Sequence, residues 1–291
     1  MKTCIGWYDV KMNDVDIPLV ITYCNKYKTT NFENTRRFVD TLKANEWDHV
    51  VLGDGEVWEH FITKMKSYKA HLATLDPNKI VVVSDAHDVY CLRHPHYFVE
   101  EFKALQKPIV ASMELFAEGC VNYNPNQTYF QVTWLGPYFE HHGMHIKGND
   151  HCRKYINSGL LCGYAKDVLS LYTWGIENDF ADDQKAAGAY ANAFPEKMHL
   201  DMNADLLHSC TSGVNFGLHS HAQVMDSPSF GELFGQSAYF LHIPGFNCGG
   251  GQPLLYNLVY DVLQKYNIKT ATQTYPSYNF VKFKKYHDNY K

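Results

Sequence analysis

Positive charge is not in excess in this chain. Twenty-six lysines and arginines stand against 31 aspartates and glutamates, for a formal net charge of −5. Nucleic-acid affinity comes mainly from basic side chains on phosphates, so no nucleic-acid partner is expected. No apolar run approaches the roughly 20 residues that span a bilayer, so no membrane span is expected. Met1 to Trp7 contain no apolar stretch of the kind that forms a secretory leader. The expected location is the cytoplasm, or the secretory pathway reached by an unrecognised route. Eight cysteines, at 4, 24, 91, 120, 152, 162, 210 and 248, form no CxxC pair. That argues against a structural zinc site and a redox dithiol. Without a leader, buried free thiols are expected ahead of disulfides. Neither repeat nor linker interrupts the chain, so one domain is expected over residues 1–291, with a core at about 17–266 and an aromatic, basic tail at 267–291.

What is present is material for a core: 45% hydrophobic and 15% aromatic residues. In the first half, short β-branched runs alternate with helical patterns. Strands are predicted at Leu19–Cys24, His49–Leu52, Ile80–Val83 and Pro108–Met113. Helices are predicted at Phe32–Leu42, through Phe61, Met65, Tyr68 and Leu72, and from Pro95. Continuous apolar strands suit a sheet buried on both faces, so an α/β fold with a mixed, mostly parallel central sheet flanked by helices is expected. Gln127 to Asp150 reads as a long irregular connection. Its aromatics, Tyr129, Phe130, Trp134 and Tyr138, serve either as an acceptor platform or as packing under a loop. Further on, Tyr155–Tyr164 is ordered, and helices are expected at Asp167–Trp174 and after Gln184. Short strands are expected near 206–208 and 239–242, and a last helix from Pro253.

Four segments carry chemistry. Asp85-Ala86-His87-Asp88 follows the most apolar strand, where ligand sites of open α/β sheets lie. Two carboxylates so spaced can converge on one hard cation, and the alternative is an acidic turn. Asn157-Ser158-Gly159 supplies small residues that let backbone approach a ligand, or simply a tight turn. Asp182-Asp183-Gln184 reads as acidic residues at a helix start, where they meet the dipole, or as carboxylates for sugar hydroxyls. His242-Ile243-Pro244-Gly245 lies just past an apolar strand; His242 would complete a metal shell and Gly245 would offer an N–H to a phosphate, unless His242 is merely a satisfied polar residue.

Together these segments resemble the glycosyltransferase domain of the procollagen lysyl hydroxylases, a GT-A family, over roughly Leu19 to Val262. Asp85 and Asp88 match its Asp-x-x-Asp motif, and Ala111-Ser112-Met113-Glu114 resembles its Ser-Ala-Glu segment. Ile156-Asn157-Ser158-Gly159 resembles its Leu-Asn-Ser-Gly-Gly run, Asp182-Asp183-Gln184 the Asp-Asp-Gln that ends its aspartate stretch, and His242-Ile243-Pro244-Gly245 its late His-Gly-Asn-Gly. Leu254 to Asn257 keeps its late Leu-x-x-Asn pattern. Two departures stand out. Phe246, Asn247 and Cys248 offer no equivalent of the family's late lysine, and Phe180-Ala181 interrupts its aspartate run.

The resemblance implies a retaining transfer of glucose from UDP-glucose to galactosyl-hydroxylysine of a collagen-like protein. The alternatives are UDP-galactose transfer to hydroxylysine, transfer to another glycan, or a non-catalytic sugar- or collagen-binding module. It implies Mn²⁺ or another divalent cation on Asp85, Asp88 and His242. Tyr23, Asn25, Lys64, His87, Asn157 and Gly245 would bind the donor, with Lys66 an alternative to Lys64. Asp182, Asp183 and Glu114 would be catalytic. Family members dimerise, so a homodimer is expected too. No lysyl hydroxylase activity is expected, because the chain has no room for that domain.

Overall fold

The apolar runs form strands and the periodic ones form helices. The computed structural model describes residues 17–26, 33–114, 135–144, 155–209 and 238–244. The chain opens with β1 (Leu19–Tyr23), α1 (Glu33–Ala44), β2 (Asp48–Leu52), α2 (Phe61–Leu72), β3 (Ile80–Ser84), β4 (Val89–Cys91), α3 (Phe98–Ala104) and β5 (Ile109–Glu114). It continues with α4 (Gly136–His141), β6 (Tyr155–Tyr164), α5 (Ala165–Glu177), α6 (Asp183–Ala193), β7 (Met198–Asp201), β8 (Leu207–Ser209) and β9 (Phe240–His242). The helix expected from Pro253 and the tail lie outside the described residues, as do Tyr129, Phe130 and Trp134.

Among the described residues, nine strands join one sheet, in the order β2-β1-β3-β6-β5-β8-β9-β4, with β7 also paired to β5. β1 pairs in parallel with β2 and β3, and β5 with β7 and β8, while β9 lies parallel to β8. β6 runs antiparallel to both β3 and β5, and β4 antiparallel to β9. The sheet is therefore mixed and mostly parallel, with helices on both faces, as expected. The order of elements along the chain did not reveal that antiparallel β6 separates β3 from β5. Two further differences are local. β4 and β7 are too short to leave a period, and the connection expected to be irregular contains α4.

Side chains of one strand alternate between two cores. Ile21, Val81, Val83, Ile109, Ala111 and Leu161 pack on one face, with Met65, Tyr68 and Leu171 of α2 and α5. Val20, Ile80, Val82, Val110 and Cys162 pack on the other, with Phe38, Leu42, Phe98 and Phe102 of α1 and α3. This explains why the strands are apolar without a break: neither face meets water. Among the described cysteines, Cys24, Cys91 and Cys162 are buried free thiols. No helix among the described residues is long and apolar enough to cross a membrane.

A bulge decides the shape of the site. Along the β5–β6 ladder, Ala111 faces Leu161 but the next residue, Ser112, faces Asn157. Ser158 to Leu160 are the surplus, so the strand kinks there, as bulges beside functional sites do. Leu160 instead pairs with Ser84 of β3, and the Asp85 N–H donates to the Gly159 carbonyl at 2.9 Å.

Candidate metal centre at the carboxyl edge of the sheet

Because β1, β3, β8 and β9 run the same way, their carboxyl ends share one edge, and Asp85, Asp88 and His242 meet there. Their donor atoms all lie within 4.8 Å of one another. His242 Nε2 is 3.3 Å from Asp88 Oδ1 and 3.7 Å from Asp85 Oδ2. Adjacent ligands of an octahedral ion with bonds of about 2.1 Å stand about 3 Å apart, so three donors at this spacing could share one ion and leave its other positions to a ligand or water. Two oxygens and one imidazole suit Mg²⁺ or Mn²⁺ better than a softer ion. Each donor is placed by backbone. Asp85 follows β3, while Val89 pairs with His242 in the β4–β9 ladder. The Ile243 N–H donates to the Asp88 carbonyl at 2.8 Å.

Gly159 makes this convergence sterically possible. A Cβ on it would lie 2.6 Å from His242 Nδ1 and 2.8 Å from Asp85 Oδ2. Asn157 lies behind the imidazole rather than open to a donor: its side chain is buried, with Oδ1 2.9 Å from His242 Nδ1.

Lys64 also takes a different place from the one expected of a phosphate contact. It is 5% exposed, and its Nζ lies 2.6 Å from Asp85 Oδ1 and 2.7 Å from Asp183 Oδ2. Burial works against the Lys64 ammonium, but Asp183 and Asp85 outweigh it and hold its pKa well above the lysine range. Burial raises the Asp85 carboxyl too, yet Lys64 and His242 bring it below the ordinary aspartate value. Asp183 is pushed up, by burial first and with Asp85 adding to it against Lys64. Three carboxylates thus share a site with one ammonium, leaving a negative excess suited to a dication. A signal for Lys64 was available: with Tyr68 and Leu72 it lies along one i, i+4 row of α2, so its charge needed a buried partner. Lys66, the alternative, is exposed.

The remaining expected residues ring this cluster. Asp182 caps α6, its Oδ1 accepting the Lys185 N–H at 3.0 Å, and Asp183 opens the helix. His87 Nδ1 lies 3.0 Å from Thr35 Oγ1 of α1, and burial lowers its pKa against the pull of Asp88 and Asp85. Tyr23 is buried at the end of β1, and its ring lies against Gly53, where φ is +83° and a side chain would collide with it. Asn25 Nδ2 donates to the Glu56 carbonyl at 3.3 Å. Glu114 ends β5, but its side chain lies outside the described residues, as does Gly245.

Sequence reading missed an exposed aromatic step beside Tyr23. Trp58, 43% exposed, has its ring centre 5.7 Å from Tyr23 and 5.6 Å from Phe61. His60, next to this step, has Nδ1 3.1 Å from the Ala181 carbonyl and so ties it to the approach to α6. No local pattern in the sequence marks that ring as exposed, so only its place in the fold reveals it.

No protein-family model matches the chain, and no curated protein does. Among solved structures it is similar to a glycosyltransferase involved in the glycosylation of the major capsid of PBCV-1, at 12% identity and a TM-score of 0.44, covering 84% of this chain and 99% of that one. It is also similar to 4-diphosphocytidyl-2C-methyl-D-erythritol synthase from Anaerococcus prevotii, at 12% identity and a TM-score of 0.36, covering 64% of this chain and 86% of that one.

Proposed function

We propose that this chain is a metal-dependent, GT-A-type glycosyltransferase that moves glucose from UDP-glucose to galactosyl-hydroxylysine of a collagen-like protein, with retention. The observation that carries the reading is the meeting of Asp85, Asp88 and His242 at the carboxyl edge of the sheet, with donors within 4.8 Å. The choice of sugar and acceptor is supported by the resemblance of the Asp85-x-x-Asp88, Asn157-Ser158-Gly159 and Asp182-Asp183-Gln184 segments to the collagen glucosyltransferases.

In the reaction the bond from the sugar's anomeric carbon to the β-phosphate oxygen breaks, and its electron pair leaves on UDP. The acceptor hydroxyl oxygen forms the new bond on the same face, and its proton passes to the departing phosphate oxygen. A divalent cation on Asp85, Asp88 and His242 would supply the positive charge that stabilises the leaving diphosphate. Lys64 keeps Asp183 and Asp85 at fixed separation, so the start of α6 stands beside the leaving group. Asp182 and Asp183 orient the sugar and the acceptor hydroxyl, and their charge favours the oxocarbenium-like transition state. Trp58, backed by the buried Tyr23, offers ring surface for the uracil, with His87 held by Thr35.

The test is UDP release with Mn²⁺ from UDP-glucose and UDP-galactose, against a galactosyl-hydroxylysine peptide, a hydroxylysine peptide and no acceptor. UDP-glucose with the galactosylated peptide should be the productive pair. Turnover only with another pair would reassign donor or acceptor, and no turnover without a UDP- and Mn²⁺-dependent rise in melting temperature would leave a non-catalytic binding module.

A further inference from the structure

The hydrogen bonds behind His242 have only one consistent direction. Asn157 Oδ1 accepts the Gly159 N–H at 2.9 Å, which identifies that atom as the oxygen of the amide and fixes its flip. The same oxygen lies 2.9 Å from His242 Nδ1, and an oxygen without a proton can only accept there. A second chain of contacts reaches the same nitrogen. The Ser112 hydroxyl donates to the Asn157 carbonyl at 2.9 Å, which uses its one proton. Ser209 Oγ, 2.9 Å from Ser112 Oγ, must then donate to it. That leaves Ser209 a lone pair toward His242 Nδ1, 3.3 Å away. Asn157 and Ser209 therefore both meet Nδ1 as acceptors.

From this we infer that Asn157 is a positioning residue that fixes His242 as its Nδ1–H tautomer and so presents the Nε2 lone pair to the cation shared with Asp85 and Asp88. Nε2 is the atom that faces the two carboxylates. Facing two carboxylate oxygens, Nε2 holds either a proton or the metal ion between them, and the ring cannot turn over without losing the Asn157 bond. The ring is 2% exposed, and Asn157, Ser112 and Ser209 are all buried, so water does not substitute for these partners. Four strands contribute: β9 carries the imidazole, β6 the amide, and β8 and β5 the two hydroxyls. Partners of this kind tune a metal-ligating histidine by setting its tautomer and angle. The inference rests on the metal centre of the proposed function, not on its donor or acceptor.

Two measurements test it. The first is Mn²⁺ affinity, read by electron paramagnetic resonance without nucleotide, for wild type, Asn157→Leu and Asn157→Asp. Asn157→Leu should bind about 10–100-fold more weakly, the usual cost of losing such a partner. Asn157→Asp keeps an acceptor for both N–H groups and should restore binding. The second needs no Asn157 variant: imidazole nitrogen NMR of wild type with one equivalent of Zn²⁺, the His242 signals being those absent from His242→Gln. Nδ1 should carry the proton and Nε2 none. An Nε2–H signal, or Asn157→Leu binding Mn²⁺ as tightly as wild type, overturns the inference even if the enzyme transfers sugar. Should both results hold while no UDP-sugar is turned over, the inference stands and the proposed function falls.

Discussion

The Lys64 ammonium sits 2.7 Å from the Asp183 carboxylate, with both side chains buried, and so ties the first turn of α2 to the first turn of α6. Breaking a buried pair by removing one partner leaves the other charge stranded. Lys64→Met should lower stability by about 3–5 kcal/mol in urea denaturation with chelator present. Lys64→Met combined with Asp183→Asn should recover much of that loss. Equal instability of the single and double variants would mean that the pair does not carry the effect.

Dialysis against EDTA should abolish transfer, and Mn²⁺ should restore it. Mn²⁺ at about 100 times its dissociation constant should also stabilise the wild type by about 2.7 kcal/mol. Asp88→Asn, which removes one ligand charge, should show little of that stabilisation in a thermal melt.

Gly159→Ala places a methyl group where His242 and Asp85 already sit. Overpacking of this kind costs about 1–3 kcal/mol. The Mn²⁺-induced rise in melting temperature should shrink as well, because the two ligands must separate. A variant that folds and responds to Mn²⁺ like wild type would show that the crowding is relieved elsewhere.

Asp182 has a structural duty that conceals any chemical one. Asp182→Ala should cost about 1 kcal/mol through loss of the α6 cap, whereas Asp182→Ser keeps a capping oxygen. If Asp182 orients substrate, Asp182→Ser should retain stability yet lose kcat. Full activity in Asp182→Ser would confine the residue to capping.

Trp58→Ala should cost about 1 kcal/mol through its ring contacts with Tyr23 and Phe61. Stacking on a base is worth about 1–3 kcal/mol, so KM for the donor should rise about tenfold with kcat little changed. An unchanged KM would remove Trp58 from the donor site.

The contrast among these residues explains what sequence could reveal. β1 and β3 were legible because burial on both faces demands unbroken apolar runs, and Asp85 and Asp88 because they follow such a run at once. His242 was legible by the same logic at β9. The burial of Lys64 was signalled by its row with Tyr68 and Leu72, but its partners were not, because Asp85 and Asp183 come from other elements and no local period encodes that meeting. Ser112 and Ser209 were equally silent, being small polar residues whose partners belong to other strands. At Asp182 the sequence allowed a cap or a sugar contact, and only the Lys185 N–H distance revealed the cap.

The pairing of β9 with both β8 and β4 also has a biosynthetic consequence. While the ribosome has yet to deliver residues 240–242, β4 and β8 each present an unpaired rim, and the two aspartates face each other without their imidazole. A site built from all three side chains is therefore complete only once β9 lies between those two rims. Until then those unpaired edges are open to strand pairing with other chains.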